Sequence, residues 1–268
     1  MLQWKVAQTA VRINKFNPIL YGGKLFQQWA VDSYLQVEAN NLNFIRHQQG
    51  RLRVEQYRGL MDHLNDVESS GDNLIGRPVI LPSSFQGSPR NMREKYHDAM
   101  AIVAKYGKPD LFVTMTCNPN WREIQENLFP GQQSNERPDL IARVFRIKLK
   151  ALLKDITDGH RFGRVKAFVY TIEFQKRGLP HAHILLILNE NSKIDTPEKV
   201  DRYINAEIPD PVLQPSLHNI VTKTMVHGPC GSLNPNAPCM EDGVCTKKYP
   251  KSFAANTTLE SNSYPIYR

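Results

Sequence analysis

No stretch of the 268 residues stays apolar for the ~18 positions that a membrane-spanning helix requires. The opening Met1-Leu2-Gln3-Trp4-Lys5 also lacks the apolar core of a secretory signal. Both absences predict a chain that stays inside the cell and has no membrane partner. Cysteine is scarce, with four residues in all, and in a reducing compartment these predict free thiols or metal ligands, not disulfides. No internal repeat or low-complexity tract is present. The long alternation of strands and helices needed for a barrel of parallel strands is absent as well.

What is present is an ordinary globular composition, 41% apolar and 22% charged, on a length that allows one large domain or two modest ones. Lys and Arg outnumber Asp and Glu by 34 to 26, a net charge of +8. That balance favours a polyanionic partner through counterion release, or is only a soluble basic surface.

Residues 24–64 lack proline and carry Leu25, Trp29, Leu52 and Leu60 at helical spacing, which predicts two helices joined near Gly50. Residues 71–89 are rich in Gly, Pro and Ser around Val79-Ile80-Leu81 and read as a loop with at most one strand. Ser88-Pro89 reads as an N-cap with proline in the first turn, followed by Met92, Tyr96, Met100 and Val103 until Gly107 ends the helix. Residues 111–117 predict a strand between prolines, and 138–156 a helix through Ile141, Val144, Phe145, Leu149, Leu152, Leu153 and Ile156. Arg143, Arg146, Lys148, Lys150 and Lys154 on that helix read as its solvated face, with phosphate tracking as the alternative. Two further strands, 164–174 and 181–188, flank a short loop containing Gly178. Together these elements predict an α+β fold: an antiparallel sheet flanked by helices over 76–220, an N-terminal helical segment over 1–75, and a cysteine-rich loop region over 221–268.

His181-Ala182-His183 is the strongest chemical feature. Alternate residues of a strand face one side, so two imidazoles can converge on one ion; the alternative is a pair of hydrogen-bonded, half-buried histidines. A three-residue loop Arg177-Gly178-Leu179 would pair Lys176 with Pro180, place Glu173 opposite His183 and face Gln175 to His181. Another register could send Glu173 to the far side of the sheet. A carboxylate with two imidazoles and open positions suits Mg²⁺ or Mn²⁺ and can polarise a phosphate oxygen, pointing to phosphodiester cleavage, although the hairpin alone equally admits a carbonyl substrate.

His227, Cys230, Cys239 and Cys245 crowd into a Gly- and Pro-rich segment with no apolar period. They read as four ligands of a structural Zn²⁺, with unpaired thiols as the alternative; Cys117, at a strand end, reads as a small buried side chain. Lys247, Lys248 and Lys251 with Tyr249 and Phe253 suit phosphates and base stacking, or are surface lysines beside two packed aromatics.

The run Gly-Leu-Pro-His-Ala-His-Ile-Leu at 178–185 resembles the His-hydrophobe-His motif of the HUH endonucleases. The surrounding text is similar to the Helitron-like helicase N-terminal family of rolling-circle transposon proteins. The runs that carry this are Leu81-Pro-Ser-Ser-Phe85, Pro89-Arg90, Asp98-Ala-Met100, Gly107-Lys-Pro-Asp-Leu-Phe112, Thr116-Cys-Asn-Pro-Asn-Trp121, Arg137-Pro-Asp139, Tyr170-Thr-Ile-Glu-Phe-Gln-Lys-Arg177, Ala206-Glu-Ile-Pro-Asp210 and His227-Gly-Pro-Cys230. The resemblance implies a five-stranded antiparallel sheet with the 111–117 strand beside the histidine strand. It also implies Glu173, His181 and His183 as catalytic metal positions, with Thr114 and Thr116 on the strand of the family's first motif. The implied partner is single-stranded DNA at transposon ends, with Arg177 and the lysines after Cys245 as contacts and the nucleus as the location. The implied reaction is attack by a tyrosine on a metal-bound phosphate, leaving a 5′-phosphotyrosine and a free 3′-hydroxyl.

In the family the tyrosine pair lies on a helix after the cysteine-rich stretch, and a helicase follows. None of the ten tyrosines here matches that context, so both are expected beyond Arg268. Tyr203 lies in a predicted helix of other surroundings, and Tyr264 and Tyr267 flank Pro265, which disfavours a helix. Whether the chain is itself an enzyme therefore stays open, and the alternative is an inactive or co-opted DNA-binding module. A metal hydrolase of the amidohydrolase kind would need the strand–helix repeat that is missing.

Overall fold

The computed structural model describes residues 2–12, 15–48, 80–174, 178–259 and 265–268. Contacts gather the chain into two compact units, Met1–Glu190 and Asn191–Arg268. Among the described residues no helix is long and apolar enough to cross a membrane.

The first unit starts with α1 (Leu2–Gln8) and a single 3-10 turn, Pro18–Tyr21, whose N-cap Asn17 accepts from the backbone N–H of Ile19. Helix α2 (Lys24–His47) buries Phe26, Ser33 and Ile45, while Leu25 is 77% exposed. The joint at Gly50 and the positions Leu52 and Leu60 lie outside the described residues, as does Val79; Ile80 is buried but belongs to no strand.

Helix α3 (Pro89–Tyr106) begins as its sequence dictates. Ser88 Oγ accepts from the Asn91 N–H at 3.2 Å, Pro89 occupies the first turn where no N–H is needed, and Gly107 ends the helix at φ 93°. Its apolar stripe of Met92, Tyr96 and Met100 is nevertheless exposed, and no α3 residue is buried. Strand β1 (Leu111–Thr116) and the short α4 (Arg122–Gln125) follow.

Helix α5 (Pro138–Thr157) carries the main core stripe. Ile141, Val144, Phe145, Leu149 and Ile156 are buried at helical spacing. Its start is fixed by a bidentate pair, with Arg137 Nε and Nη2 donating to the two oxygens of Asp139 at 2.9 and 3.0 Å while the Arg137 guanidinium lies over the Phe129 ring. Arg143, Arg146, Lys150 and Lys154 are exposed, and Lys148 donates to Glu123 at 2.8 Å beside Trp121, so the charged side of α5 is its solvated face.

Strands β2 (Val165–Phe174) and β3 (Pro180–Leu188) complete an antiparallel sheet of order β1-β3-β2. This is the expected α+β arrangement with β1 beside the histidine strand, but this sheet has three strands among the described residues where the resemblance implied five. The central strand β3 splits by parity. Ala182, Ile184 and Leu186 are 0% exposed on the side where α5 packs, while His181, His183 and Leu185 take the other side.

The hairpin register differs from the expected one. Glu173 pairs with His181, Thr171 with His183 and Phe174 with Pro180, where Glu173 was expected opposite His183 and Pro180 opposite Lys176. Gln175, Lys176 and Arg177 lie outside the described residues. The pairing is offset by two positions, and an even offset returns every side chain to the same face. Glu173 therefore remains on the histidine side.

In the second unit, α6 (Pro197–Asp201) is capped by Thr196, and α7 (Pro215–Thr224) begins again at a proline. The hydroxyl of Thr257 donates to Asp201, Arg268 Nε lies 3.3 Å from Asp201 Oδ2, and the Ala206 N–H donates to the Arg268 carbonyl at 2.7 Å. Tyr203 sits in a turn just after α6 and not within a helix; Tyr267 is non-helical, and Tyr264 lies outside the described residues. The last elements are the two-residue strands β4 (Met240–Glu241) and β5 (Val244–Cys245).

Because Leu186 is fully buried beneath α5, Leu186→Ala should lower unfolding stability by ~2–5 kcal/mol. Phe168→Ala, at the neighbouring exposed edge position, should cost clearly less. Chemical denaturation of both variants checks the ordering, and equal losses would contradict a core centred on β3.

Candidate metal centres

The uncovered face of the sheet is a grid set by the pairing. One row is Thr116, His181 and Glu173; the next is Thr114, His183 and Thr171; a third, apolar row is Phe112, Leu185 and Val169. Directly paired side chains on one face stand ~4.5–5.5 Å apart at Cβ, so the backbone alone brings the carboxylate to the imidazoles. One ligand atom from each of Glu173, His181 and His183 lies within 4.8 Å of the others.

The two histidines differ in their partners. His181 Nδ1 is held by Thr116 Oγ1 at 2.6 Å, which leaves Nε2 as the nitrogen available to an ion. His183 Nε2 lies 3.2 Å from Glu173 Oε1, and the two rings meet edge to face at 4.5 Å. His183 Nδ1 is buried and has no hydrogen-bond partner among the described residues. A buried nitrogen without a partner costs about 1–3 kcal/mol, so this ring is under-satisfied until something else binds it. Phe112 stacks on His183 with ring centroids 5.3 Å apart and planes 6° apart.

In the second unit His227, Cys230, Cys239 and Cys245 also bring their ligand atoms within 4.8 Å of one another and can hold a metal ion. A tight turn makes this possible. Asp242 and Gly243 have φ of 50° and 77°, the positive values that a two-residue hairpin needs. The hairpin pairs Met240 with Cys245, and the Thr246 N–H donates to the Cys239 carbonyl at 2.8 Å, so the backbones at Cys239 and Cys245 run close together. The Asp-Gly pair is the sequence signal that would have revealed this hairpin. His227 Nε2 lies 3.3 Å from Cys239 Sγ and 3.6 Å from Cys245 Sγ, and its ring stacks on Tyr249 at 4.2 Å.

The thiols differ sharply in acidity. The Cys245 thiol is lowered to about 6 by the backbone N–H of Tyr249, helped by that of Lys247. Burial and the sulfurs of Cys245 and Cys239 push the Cys230 thiol up to about 11. Cys117 stands apart from the cluster, buried as expected, its thiol raised to about 11 by desolvation.

Lys247, Lys248 and Lys251 are exposed, with Lys251 Nζ 5.2 Å over the Tyr249 ring. Phe253 is 93% exposed, so it is not a packed aromatic.

A sequence profile described as the Helitron helicase-like domain at the N-terminus matches residues 2–186. The chain belongs to this family. The matched span holds the whole Helitron-family sheet up to Leu186, including Thr116, Glu173, His181 and His183, whereas the cysteine cluster and the runs quoted at 206–210 and 227–230 lie beyond it. Comparison with curated proteins finds no match.

An ion that takes all four ligands of the cysteine cluster must displace the proton of Cys230. Affinity for Co²⁺ should therefore rise between about pH 6 and about pH 8, by up to ~10-fold per unit for each thiol still protonated. Optical titration of the metal-free protein checks this. A pH-independent affinity would mean that the thiols are not ligands.

Proposed function

We propose that the open sheet face is a divalent-metal site of the HUH endonuclease kind, which holds Mg²⁺ or Mn²⁺ on Glu173, His181 and His183. It acts on single-stranded DNA at transposon ends during rolling-circle transposition. What carries this reading is the convergence of one carboxylate and two imidazoles on a single uncovered face, within the residues matched by the Helitron-family profile. The orphaned Nδ1 of His183 and the mixed oxygen and nitrogen donor set fit such an ion.

Bound there, a divalent ion supplies Lewis-acid polarisation of a phosphate oxygen at the bond to be broken. The chain's own residues do the positioning. Thr116 holds His181 through Nδ1, so that its other nitrogen faces the site. Glu173 is exposed, so its carboxylate stays open to solvent and to an incoming ion. Nicking and strand transfer require a tyrosine in line with the scissile bond, a role assigned to none of the residues named here. The net charge of +8 supports attraction to DNA. A flat strand face suits a single strand, whose phosphate and bases are accessible together.

For the second unit the proposed ion is structural zinc. Three sulfurs and one imidazole are the donor set that a structural zinc ion takes, and their ligand atoms lie within 4.8 Å of one another.

Fluorescence anisotropy should show salt-sensitive binding of single-stranded over duplex DNA, with a Mn²⁺-dependent component that His183→Ala abolishes. Binding that ignores both metal and salt would sink the proposal. Thr116→Val, which keeps shape but removes the hydroxyl, should weaken Mn²⁺ binding by about 10-fold in a calorimetric titration. Elemental analysis should find zinc in the purified protein and lose it in Cys239→Ser. Zinc content unchanged by that substitution would exclude this ligand set.

A further inference from the structure

Beside the proposed metal site lies a feature that metal binding leaves unused. The third row of the open face, Phe112, Leu185 and Val169, is apolar where the two rows before it are polar. Leu185 and Val169 are half-buried, but Phe112 is 56% exposed although it sits in a strand of the sheet. One side of its ring lies against His183, nearly parallel at 6°. The other side has no aromatic partner among the described residues, and an exposed phenyl ring gains nothing from water.

Residues two apart on a strand are separated by about 6.8 Å, so the apolar row begins one such step from His183. That step is comparable to the distance from a nucleotide's phosphate to its base. A phosphate placed at Glu173, His181 and His183 therefore carries a neighbouring base over Phe112. Every base has a π face, and stacking on an exposed aromatic ring holds it without regard to sequence.

We infer that Phe112 is a stacking platform for the nucleobase next to the bound phosphate, with Leu185 and Val169 as its apolar floor. This reading rests on the proposed metal site for single-stranded DNA and adds the base-binding subsite that such a site needs. The single strand would thus be gripped at two points, the phosphate at the metal row and the base at the apolar row. A duplex, whose bases are already stacked on one another, cannot offer the second grip without opening.

The test uses the full chain with Mn²⁺ and a short oligonucleotide carrying 2-aminopurine, whose fluorescence is quenched by stacking. Wild-type protein should bind and quench. Phe112→Leu keeps apolar bulk but removes the π face. It should weaken binding on the order of 5- to 100-fold and abolish quenching, while its Mn²⁺ affinity stays unchanged. Phe112→Trp should retain both binding and quenching.

If Phe112→Leu binds DNA as tightly as wild type while still binding Mn²⁺, the platform is overturned and the metal-site reading survives. If Phe112→Leu loses Mn²⁺ together with DNA, Phe112 is only a wall that positions His183, and the platform is again overturned. If wild-type protein binds no single-stranded DNA in the presence of Mn²⁺, both readings fall.

Discussion

Period-two alternation along β3 governs both the fold and the open face of the first unit. Pro180, Ala182, Ile184 and Leu186 are sealed on one side, and burial of the Ile184 and Leu186 side chains contributes roughly 1.5–3 kcal/mol each relative to exposure. A one-residue slip of β3 would turn these groups to solvent and bring the two imidazoles onto the apolar stripe of α5. The register is thus held by residues that take no part in metal binding. His181 and His183 are kept on the open side because their neighbours cannot leave the closed one.

The two clusters are assembled by different means. The sheet cluster is placed by strand pairing on both flanks of β3, which alone brings its ligand atoms onto one face. The cysteine cluster depends on short loops, with the two-residue turn at Asp242-Gly243 among them, and its sulfurs crowd together with opposed acidities at Cys245 and Cys230. Three thiols in contact are a poor arrangement for a metal-free loop, because ionising one disfavours ionising the next. An ion held there would remove that conflict by stabilising every thiolate at once, and its binding would then be coupled to the folding of the segment around it.

Much of this was legible in the sequence where local chemistry decides structure. Ser88, Pro89 and Gly107 mark α3 because capping and proline geometry are properties of a few adjacent residues. Strand β1 and helix α5 were legible from apolar spacing bounded by prolines. The hairpin register was not, because loop length depends on how two strands settle against the core. Glu173 stays on the histidine side because the observed register is offset from the expected one by an even number of positions. Nor did spacing reveal that Leu25 and the α3 stripe would be exposed, since periodicity says which face is apolar and not whether another element covers it. Phe112 against His183 and Thr116 against His181 are cross-strand contacts, visible only once β1 is known to lie beside β3 in a given register.

The distribution of charge separates two kinds of attraction to DNA. The excess of basic residues belongs to the chain as a whole, and on α5 it faces solvent. On the open sheet face the three rows contain no lysine or arginine, and the one charged side chain in them, Glu173, would repel a phosphate. A phosphate can approach that carboxylate only if a cation stands between them, and Coulomb repulsion between unscreened anions at contact grows as water is displaced. Non-specific attraction should then follow the salt concentration through the distributed lysines and arginines. Docking at the grid should follow the metal, because Glu173 is an obstacle to the phosphate without an ion and a ligand with one.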